Sequence, residues 1–250
     1  MQLRTKIIFI ACAAAILPCA APAALINLGA GAFVPLAPQI TFSEVALGTE
    51  NPTFIVPTVS LGNVEVSFAG YFNGQVESGG FPVTLIDSTP EGPLALGGGT
   101  TFIALDGSNP TSPVLSGTPT FNGPISILFS TPVSAVGLDG GFFNAIGGTS
   151  IEAYAADGTV LGSITNSQLG IEFYGLADSS GANVISGVSF FITGNEPAGF
   201  AIDNVTFGSA RDLVDPPGGG NNVPDAGSTM FLLGASLAPL LGMKRILSKA

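Results

Sequence analysis

The sequence predicts an all-β protein in which one β-sandwich lies between two apolar terminal segments. Short runs of β-branched and aromatic residues recur between Gly, Pro and Asn turns. Between residues 25 and 208, no window of helical length that is free of Gly and Pro has apolar residues at helical spacing. The two ends are different, because each is a continuous apolar run bordered by Lys or Arg.

The composition excludes several function classes. Charged residues make up 9% of the chain, hydrophobic residues 46%, and the formal net charge is -11. Without His there is no Ser-His-Asp catalysis and no His-ligated zinc site. Residues 7–210 contain no Lys or Arg, so nucleic acid is excluded as a partner. Both cysteines lie within the first twenty residues, which predicts a mature protein without disulfides.

Residues 1–23 have the three parts of a secretory signal peptide. Arg4 and Lys6 precede an apolar run at 7–17, and small residues end in Ala-Pro-Ala at 21–23. We therefore expect residues 1–23 to form a signal helix that directs the chain to the Sec translocon. Signal peptidase is then expected to cleave after residue 23. A lipoprotein acylated at Cys19 is the alternative, and the proline just before that cysteine disfavours it. A buried core helix would not explain why the charges lie at one end.

Residues 24–210 are predicted to form the sandwich as a single domain. Eleven runs are predicted as strands, namely Ile40 to Glu44, Val64 to Phe72, Phe81 to Ile86, Thr101 to Leu105, Ile125 to Phe129, Val133 to Leu138, Ser150 to Ala155, Thr159 to Thr165, Ile171 to Leu176, Val184 to Ile192 and Phe200 to Phe207. Eighteen Phe with many Val, Ile and Leu are enough to fill one core between two sheets. We therefore expect a single jelly-roll-like β-sandwich.

Two local patterns support these strands. Val64, Val66 and Phe68 alternate with polar residues, which predicts one buried face and one wet face. The Ala-Asp-Gly sequence at 156–158 joins two runs and predicts a tight hairpin with Gly at the positive-φ position. Residues 107–123 are rich in Pro, Ser, Thr and Gly, and they are predicted to be a long surface loop.

The C-terminal end is predicted to be a membrane-associated segment. A Pro, Gly and Asn stretch at 211–222 is interpreted as a flexible linker. An apolar run at 230–242 follows, and as a helix it would span roughly 20 Å against a hydrocarbon core of about 30 Å. The basic tail comprises Lys244, Arg245 and Lys249, and it predicts a cytoplasmic C-terminus with the body outside. A permanent single-span anchor is the alternative, although such anchors are usually longer.

A seven-residue motif lies between the linker and the apolar run, and it consists of Val223, Pro224, Asp225, Ala226, Gly227, Ser228 and Thr229. With this motif, the apolar run and the basic residues, the tail at 223–250 resembles the PEP-CTERM group of C-terminal sorting signals. The motif is similar to the variant of the group that reads Val-Pro-Asp-Ser-Gly-Ser-Thr, with Ala226 in place of Ser. The resemblance implies recognition, and cutting near the motif, by an exosortase, a membrane-embedded cysteine transpeptidase of Gram-negative bacteria that make exopolysaccharide. It implies sorting and says nothing about the activity of the body.

The body has a looser resemblance to the jelly-roll domains common in PEP-CTERM proteins, which are similar to bacterial carbohydrate-binding modules. The resemblance lies in the runs at 40–49 and 199–208. In modules of that kind, acids from the first and last strands meet around a structural calcium ion, which implies Glu44 and Asp203 as ligands here, with Asn204 a weaker candidate. Both acids also have a simpler interpretation, as solvent-facing or loop-capping residues.

Two further hypotheses concern the body. Glu152 and Glu172, on strands predicted to be neighbours, are the candidate carboxylate pair of a glycan-active hydrolase. Sugar stacking would use Tyr71, Tyr154 or Tyr174, because Trp is absent, although half-buried sandwich tyrosines are the simpler interpretation.

We expect a secreted, exosortase-sorted, non-catalytic protein of the cell surface or extracellular matrix. The expectation includes association with exopolysaccharide, with carbohydrate as the candidate ligand. A secreted hydrolase is the alternative, and an ice-binding surface is a third one that no regular Thr array supports. No cofactor is required, and calcium is a candidate. The membrane segment would hold the precursor in the inner membrane before processing.

Overall fold

The computed structural model describes residues 24–107 and 113–217. The predicted signal peptide at 1–23, the last five residues of the predicted linker (218–222), and the sorting motif, predicted transmembrane segment and basic tail at 223–250 lie outside the described residues. Within the two described ranges, no helix has the length and hydropathy needed to cross a membrane. The structure therefore bears on the body of the chain, which is all-β.

Seventeen strands and one 3₁₀ helix at Ala210–Asp212 make up the described body. The strands are β1 Leu25–Asn27, β2 Gln39–Ile40, β3 Thr53–Thr58, β4 Gly62–Ala69, β5 Tyr71–Phe72, β6 Val76–Glu77, β7 Leu85–Asp87, β8 Leu96–Gly98, β9 Thr101–Ala104, β10 Val114–Gly117, β11 Ile125–Val133, β12 Ala135–Phe143, β13 Thr149–Tyr154, β14 Val160–Thr165, β15 Gly170–Asp178, β16 Ile185–Ile192 and β17 Ala201–Gly208.

Two large antiparallel sheets account for most of these strands. The seven-stranded sheet has the order β1-β15-β12-β17-β10-β9, with β2 also pairing with β17. The six-stranded sheet has the order β14-β13-β16-β11-β4-β3. From β10 to β17 the chain repeatedly crosses between the sheets, so that strands adjacent in a sheet are mostly distant in sequence. The pairs β5-β8 and β6-β7 form two small additional sheets.

One hydrophobic core fills the space between the two large sheets. Val136, Leu176 and Ile202 come from the seven-stranded sheet, while Val66 and Ile127 come from the six-stranded sheet, and all five are at most 1% exposed. Ring stacking extends this core to one end of the sandwich, where the Phe190 and Phe200 centroids are 4.6 Å apart. The sandwich-like arrangement follows from this shared core, since neither sheet could bury its inner face alone.

Two local predictions are confirmed. Val64, Val66 and Phe68 in β4 are buried and Glu65 is exposed, as their alternation indicates. The 156–158 hairpin joins β13 to β14, and Gly158 has φ 84°.

The prediction that 107–123 is a long surface loop is wrong for part of its length. Val114–Gly117 form β10, which is fully buried and pairs with both β9 and β17. The strand was missed because Pro, Ser, Thr and Gly flank only four strand residues. Its burial on both sides of the sheet also removes the alternation that would have marked it.

Other predicted strands have different bounds. The strand predicted at Ile40 to Glu44 ends at Ile40, because Phe42 adopts φ 58° and the chain turns. Of the run predicted at Phe81 to Ile86, only Leu85 and Ile86 are in a strand, β7. The edge strands β1 and β3 were not predicted; Pro57 within β3 fits its place at the edge of a sheet.

The folded body extends past Ala210, the boundary expected from the sequence. Asp212 accepts hydrogen bonds from the Ser209 N–H (2.8 Å) and hydroxyl (2.9 Å), which caps the 3₁₀ helix. Leu213 is 4% exposed and forms a β-bridge with Phe33. The first residues of the predicted linker therefore belong to the sandwich.

Candidate functional site

A groove on the outer face of the seven-stranded sheet combines aromatic and polar side chains. It has a volume of about 260 Å³ and is lined by Asp106, Phe121, Gly141, Phe142, Asn144, Ala198, Gly199 and Phe200. A narrow crevice continues it past Asp106 and Gly141 to Asp139 and Asp203. We call the groove and crevice together the Phe142 groove.

The aromatic wall of the groove lies where β12 ends. Phe142 is 47% exposed, although nine of the sixteen Phe residues in the described part of the chain are buried. Phe200, on the inner side of the groove, is 1% exposed and stacks on Phe190. A half-exposed ring beside a rigid aromatic floor presents an apolar surface to a ligand at little cost in side-chain entropy.

A buried carboxylate holds the segment that carries this wall. Glu196 is 1% exposed, and its oxygens accept hydrogen bonds from the Asn144 N–H (2.8 and 3.1 Å) and the Ala145 N–H (3.2 Å). Charge-assisted bonds of this kind are stronger than neutral ones. Glu196 therefore fixes the turn after β12, and with it the positions of Asn144 and Phe142.

Backbone geometry closes the other side of the groove. Gly199 has φ +74°, and a Cβ atom built there would lie 1.8 Å from the Phe121 carbonyl oxygen. The Phe200 N–H donates to that same carbonyl at 2.6 Å. Glycine is required at this point because two chain segments meet with no space for a side chain.

Two acids face each other in the crevice. Asp139 on β12 is directly opposite Asp203 on β17, an arrangement that repels when both are charged. Asn204 separates them: its Nδ2 donates to Asp139 Oδ2 at 2.9 Å, and its N–H donates to Asp203 Oδ1 at 2.7 Å. Asn204 does this from φ 52°, a left-handed conformation that Asn tolerates better than most residues.

The two acids predicted to bind calcium lie in different surroundings. Glu44 is exposed, and its Oε1 accepts from the Thr41 N–H (3.0 Å) and hydroxyl (3.1 Å), so it caps its own turn. Asp203 is 2% exposed and lines the crevice, which Glu44 does not line. Among the residues the structure describes, no group of three or more acidic, Cys or His side chains is placed to hold a metal ion. Calcium at this pair stays a prediction.

Glu152 and Glu172 do not lie on neighbouring strands as predicted. Glu152 is on β13 of the six-stranded sheet, whereas Glu172 is on β15 of the seven-stranded sheet. Burial raises the pKa of Glu152, partly offset by hydrogen bonds with Ser88 and Tyr154. The Glu172 carboxylate accepts from Ser167 and from the Gln168 N–H (2.9 Å), which caps the turn before β15. Glu172 thus has a local structural role.

The predicted sugar-stacking tyrosines are mostly core residues. Tyr154 is 0% exposed and Tyr174 is 1% exposed, and burial raises the pKa of both phenols above the ordinary range. Neither ring can contact a sugar in solution. Tyr71 is partly buried, with its ring against Gly98 and Gly99.

Two other cavities are less suited to a ligand. One of about 360 Å³ contains Glu172, whose carboxylate is occupied by the turn, and one of about 500 Å³ is lined by Phe81 and contains no charged side chain. The 360 Å³ cavity also has aromatic and amide side chains, among them Phe173 and Gln168, but the Phe142 groove combines such groups with a half-exposed Phe ring. Sequence reasoning missed Phe142, Asn144, Glu196 and Asp106, since nothing in the sequence distinguishes an exposed Phe from a core Phe.

Comparison with known proteins identifies the C-terminal segment. Residues 222–247 match the VPDSG-CTERM motif, a PEP-CTERM-like sorting signal. This confirms the resemblance seen in the motif at 223–229, and the match includes Lys244 and Arg245 of the basic tail. No curated protein matches the chain.

One solved structure with similarity to this chain is the enzymatically active domain of tailspike protein 4 from bacteriophage CBA120. The identity is 17%, the TM-score is 0.26, and the alignment covers 68% of this chain. It spans 20% of the tailspike chain.

Proposed function

We propose that this chain, whose C-terminus carries a VPDSG-CTERM sorting signal, is an exosortase-sorted, non-catalytic protein of the bacterial surface or extracellular matrix. Its body would associate with exopolysaccharide after export. The observation that carries the proposal is the motif match at 222–247, which combines the Pro-Asp motif, the apolar run and the basic tail in the expected order. The proposed route is Sec export, transient retention in the inner membrane and processing near the motif.

The sorting proposal is tested by two variants of the precursor. Deleting 244–250 removes the basic stop and should release the precursor from the membrane. Changing Pro224 and Asp225 to Ala should instead leave a membrane-held precursor that is not processed. Fractionation and immunoblotting in an exosortase-positive host measure both. Normal maturation of both variants would overturn the proposal, and Thr206→Ala in the body serves as a control that should mature normally.

We further propose that β10 to β17 form a jelly roll. The strand orders β10-β17-β12-β15 in one sheet and β11-β16-β13-β14 in the other support this. In each sheet, strands from β10 to β13 alternate with strands from β14 to β17, which is the arrangement of a jelly roll. This topology brings the segments after β10 and β12 to the start of β17, which is where the Phe142 groove lies. The groove is therefore a product of the strand order.

Carbohydrate is the ligand class that the groove supports best. The half-exposed Phe142 ring offers an apolar platform for the apolar face of a sugar, and Asn144 and Asp106 beside it can bind sugar hydroxyls. Three acids line the groove and its crevice, and residues 7–210 contain no base. Repulsion therefore disfavours acidic sugars, so we propose neutral or amino sugars as ligands.

Substitution of Phe142 provides the test. Phe142→Ala should weaken binding of neutral oligosaccharides from a glycan array by about tenfold, the loss expected for one stacking ring. The melting temperature should change little because the ring is half exposed. Phe81→Ala is the matched control: Phe81 is 70% exposed and lies in the other cavity, so its loss should not affect binding. If Phe142→Ala binds oligosaccharides as strongly as Phe81→Ala does, the Phe142 groove is not the binding site.

Calcium binding at Glu44 and Asp203 has a direct test of its own. A calcium ion at a hundredfold excess over Kd would stabilise the folded state by about 2.7 kcal/mol. Chelation should then lower the melting temperature by roughly 5 to 11 °C. The double variant Glu44→Ala with Asp203→Ala should show no such dependence. If EDTA leaves the melting temperature of the intact domain unchanged, the prediction is wrong.

A further inference from the structure

Asp178, at the end of β15, has a buried carboxylate oxygen without a partner. The residue is 1% exposed, and its Oδ2 accepts no hydrogen bond. Its Oδ1, by contrast, accepts from the Ser180 N–H (2.9 Å), the Ala182 N–H (3.2 Å) and the Ser180 hydroxyl. One half of this carboxylate thus caps the turn after β15, and the other half lacks the partner that a buried charged oxygen requires.

The neighbouring strand is β1, where the predicted mature chain begins. Leu25 on β1 is directly opposite Asp178, and the Ser179 N–H donates to the Ala24 carbonyl at 2.7 Å. Opposite residues of an antiparallel pair have their side chains on the same face of the sheet. The bonds to Oδ1 also turn the carboxylate towards residues 180–182, the end of β15 at which β1 starts. Ala24 therefore directly precedes the residue opposite Asp178, at the end of β15 towards which the carboxylate turns.

Cations that could satisfy Oδ2 are scarce. Residues 7–210 contain no Lys or Arg, so Arg211 is the first base after the signal peptide. Arg211 is exposed, and its 3₁₀ helix packs near the turn, where a Cβ built at Gly181 would lie 3.2 Å from the Ala210 Cβ. The structure nonetheless leaves Oδ2 without a hydrogen bond. Oδ2 thus lacks a cationic partner within the described residues, and the predicted removal of the signal peptide would supply one.

Cleavage after Ala23 creates that cation. Water adds across the Ala23–Ala24 amide, which leaves a carboxylate on Ala23 and an amine on Ala24 that takes up a proton near neutral pH. The single amide N–H of the precursor becomes an ammonium with three donors. We propose that the Ala24 ammonium binds Asp178 Oδ2, so that removal of the signal peptide completes the pairing of β1 with β15. The site selects a free α-amine at this position.

A thermodynamic cycle on the chain without its signal peptide, residues 24–250 in detergent, tests the proposal. One form begins at Ala24 with a free amine, and the other has a Gly-Ser-Gly-Ser extension that converts the amine to an amide. The extension should lower the melting temperature by about 1 to 4 °C, the effect expected of a partly exposed ion pair. In Asp178→Asn, which keeps the capping Oδ1 but removes the charge, the extension should have no effect.

The control for the cycle is Asp157→Asn. Asp157 caps a turn in the same manner, through the Thr159 N–H at 3.0 Å, but it is exposed and lies in the β13–β14 hairpin. The extension should cost this variant as much as it costs the native sequence. If the extension lowers the melting temperature of Asp178→Asn as much as that of the native sequence, the proposal is wrong. It is also wrong if this loss of melting temperature disappears only in Arg211→Gln, because Arg211 would then be the partner of the carboxylate. Acylation of the Ala24 amine should also be slower in the native chain than in Asp178→Asn.

Discussion

At the residue scale, the acidic side chains of the body differ mainly in their burial and in the hydrogen bonds that their carboxylates accept. Glu172 and Asp157 cap exposed turns through backbone N–H groups, whereas Glu196 is fully buried and satisfied by the segment that it holds. Glu152 is half buried, and this burial raises its pKa despite hydrogen bonds with Ser88 and Tyr154. The same residue type therefore stabilises the fold in some places and costs free energy in another.

Glu152 provides a prediction of pH dependence. Burial raises its pKa in the folded state above the ordinary value of 4.5. As pH rises from that value, the unfolded chain loses this proton first, so the stability of the fold falls until the folded-state pKa is passed. Glu152→Gln should therefore stabilise the protein at pH 7 and have little effect at pH 4. Denaturant unfolding at both pH values measures the difference.

The control for Glu152 is Glu65→Gln, a change on the exposed face of the same sheet. This variant should lack the gain at pH 7. If Glu152→Gln is no more stable at pH 7 than at pH 4, relative to the native chain, the stated effect of burial on its pKa is wrong.

At the element scale, the groove depends on close approaches between segments. Gly199→Ala should destabilise the protein severely, because the new Cβ would lie 1.8 Å from a backbone oxygen and φ is +74°. We expect a loss of at least about 3 kcal/mol or failure to fold. Gly147→Ala is the matched control, since Gly147 has the same φ of +74° but nothing within 4 Å of its Cβ. Equal effects in the two variants would show that conformation alone, and not the close approach, is responsible.

Glu196 gives a second prediction at this scale. Glu196→Ala removes the buried acceptor of two backbone N–H donors and should cost about 2 to 3 kcal/mol. That loss corresponds to a drop of about 4 to 12 °C in melting temperature. It should also weaken the proposed glycan binding, because Asn144 and Phe142 would no longer be fixed. A melting temperature that is unchanged would contradict the anchoring role.

At the scale of the whole molecule, the ends of the body are tied together. Val34 N–H donates to the Asp212 carbonyl (2.9 Å), and Val214 N–H donates to the Ala32 carbonyl (2.8 Å). Leu213 is buried between these bonds. Residues 210–217 therefore close the seven-stranded sheet against the segment that follows β1.

This closure predicts how truncations behave. A fragment of residues 24–217 should unfold in a single cooperative transition, because the core lies within residues 40–207. A fragment of residues 24–209 should melt about 4 to 12 °C lower, since it loses one buried Leu side chain and two backbone hydrogen bonds. Circular dichroism melting of the two fragments provides the comparison. Equal melting temperatures would contradict the closing role of the last segment.

The sequence by itself determined the all-β class, the long strands from β11 to β17 and the sorting tail. These features are local: each depends on a run of residues, a turn or a short motif, and so it can be recognised without knowing what packs against it. Only the tertiary structure decided that Val114–Gly117 is a buried strand, that Glu152 and Glu172 lie in different sheets and that Tyr154 and Tyr174 are core residues. It also placed Phe142, Asn144 and Asp106 in one groove. These features depend on which distant strands pair with each other. Side chains that strand pairing brings into contact have no fixed spacing along the chain, so no sequence pattern marks them.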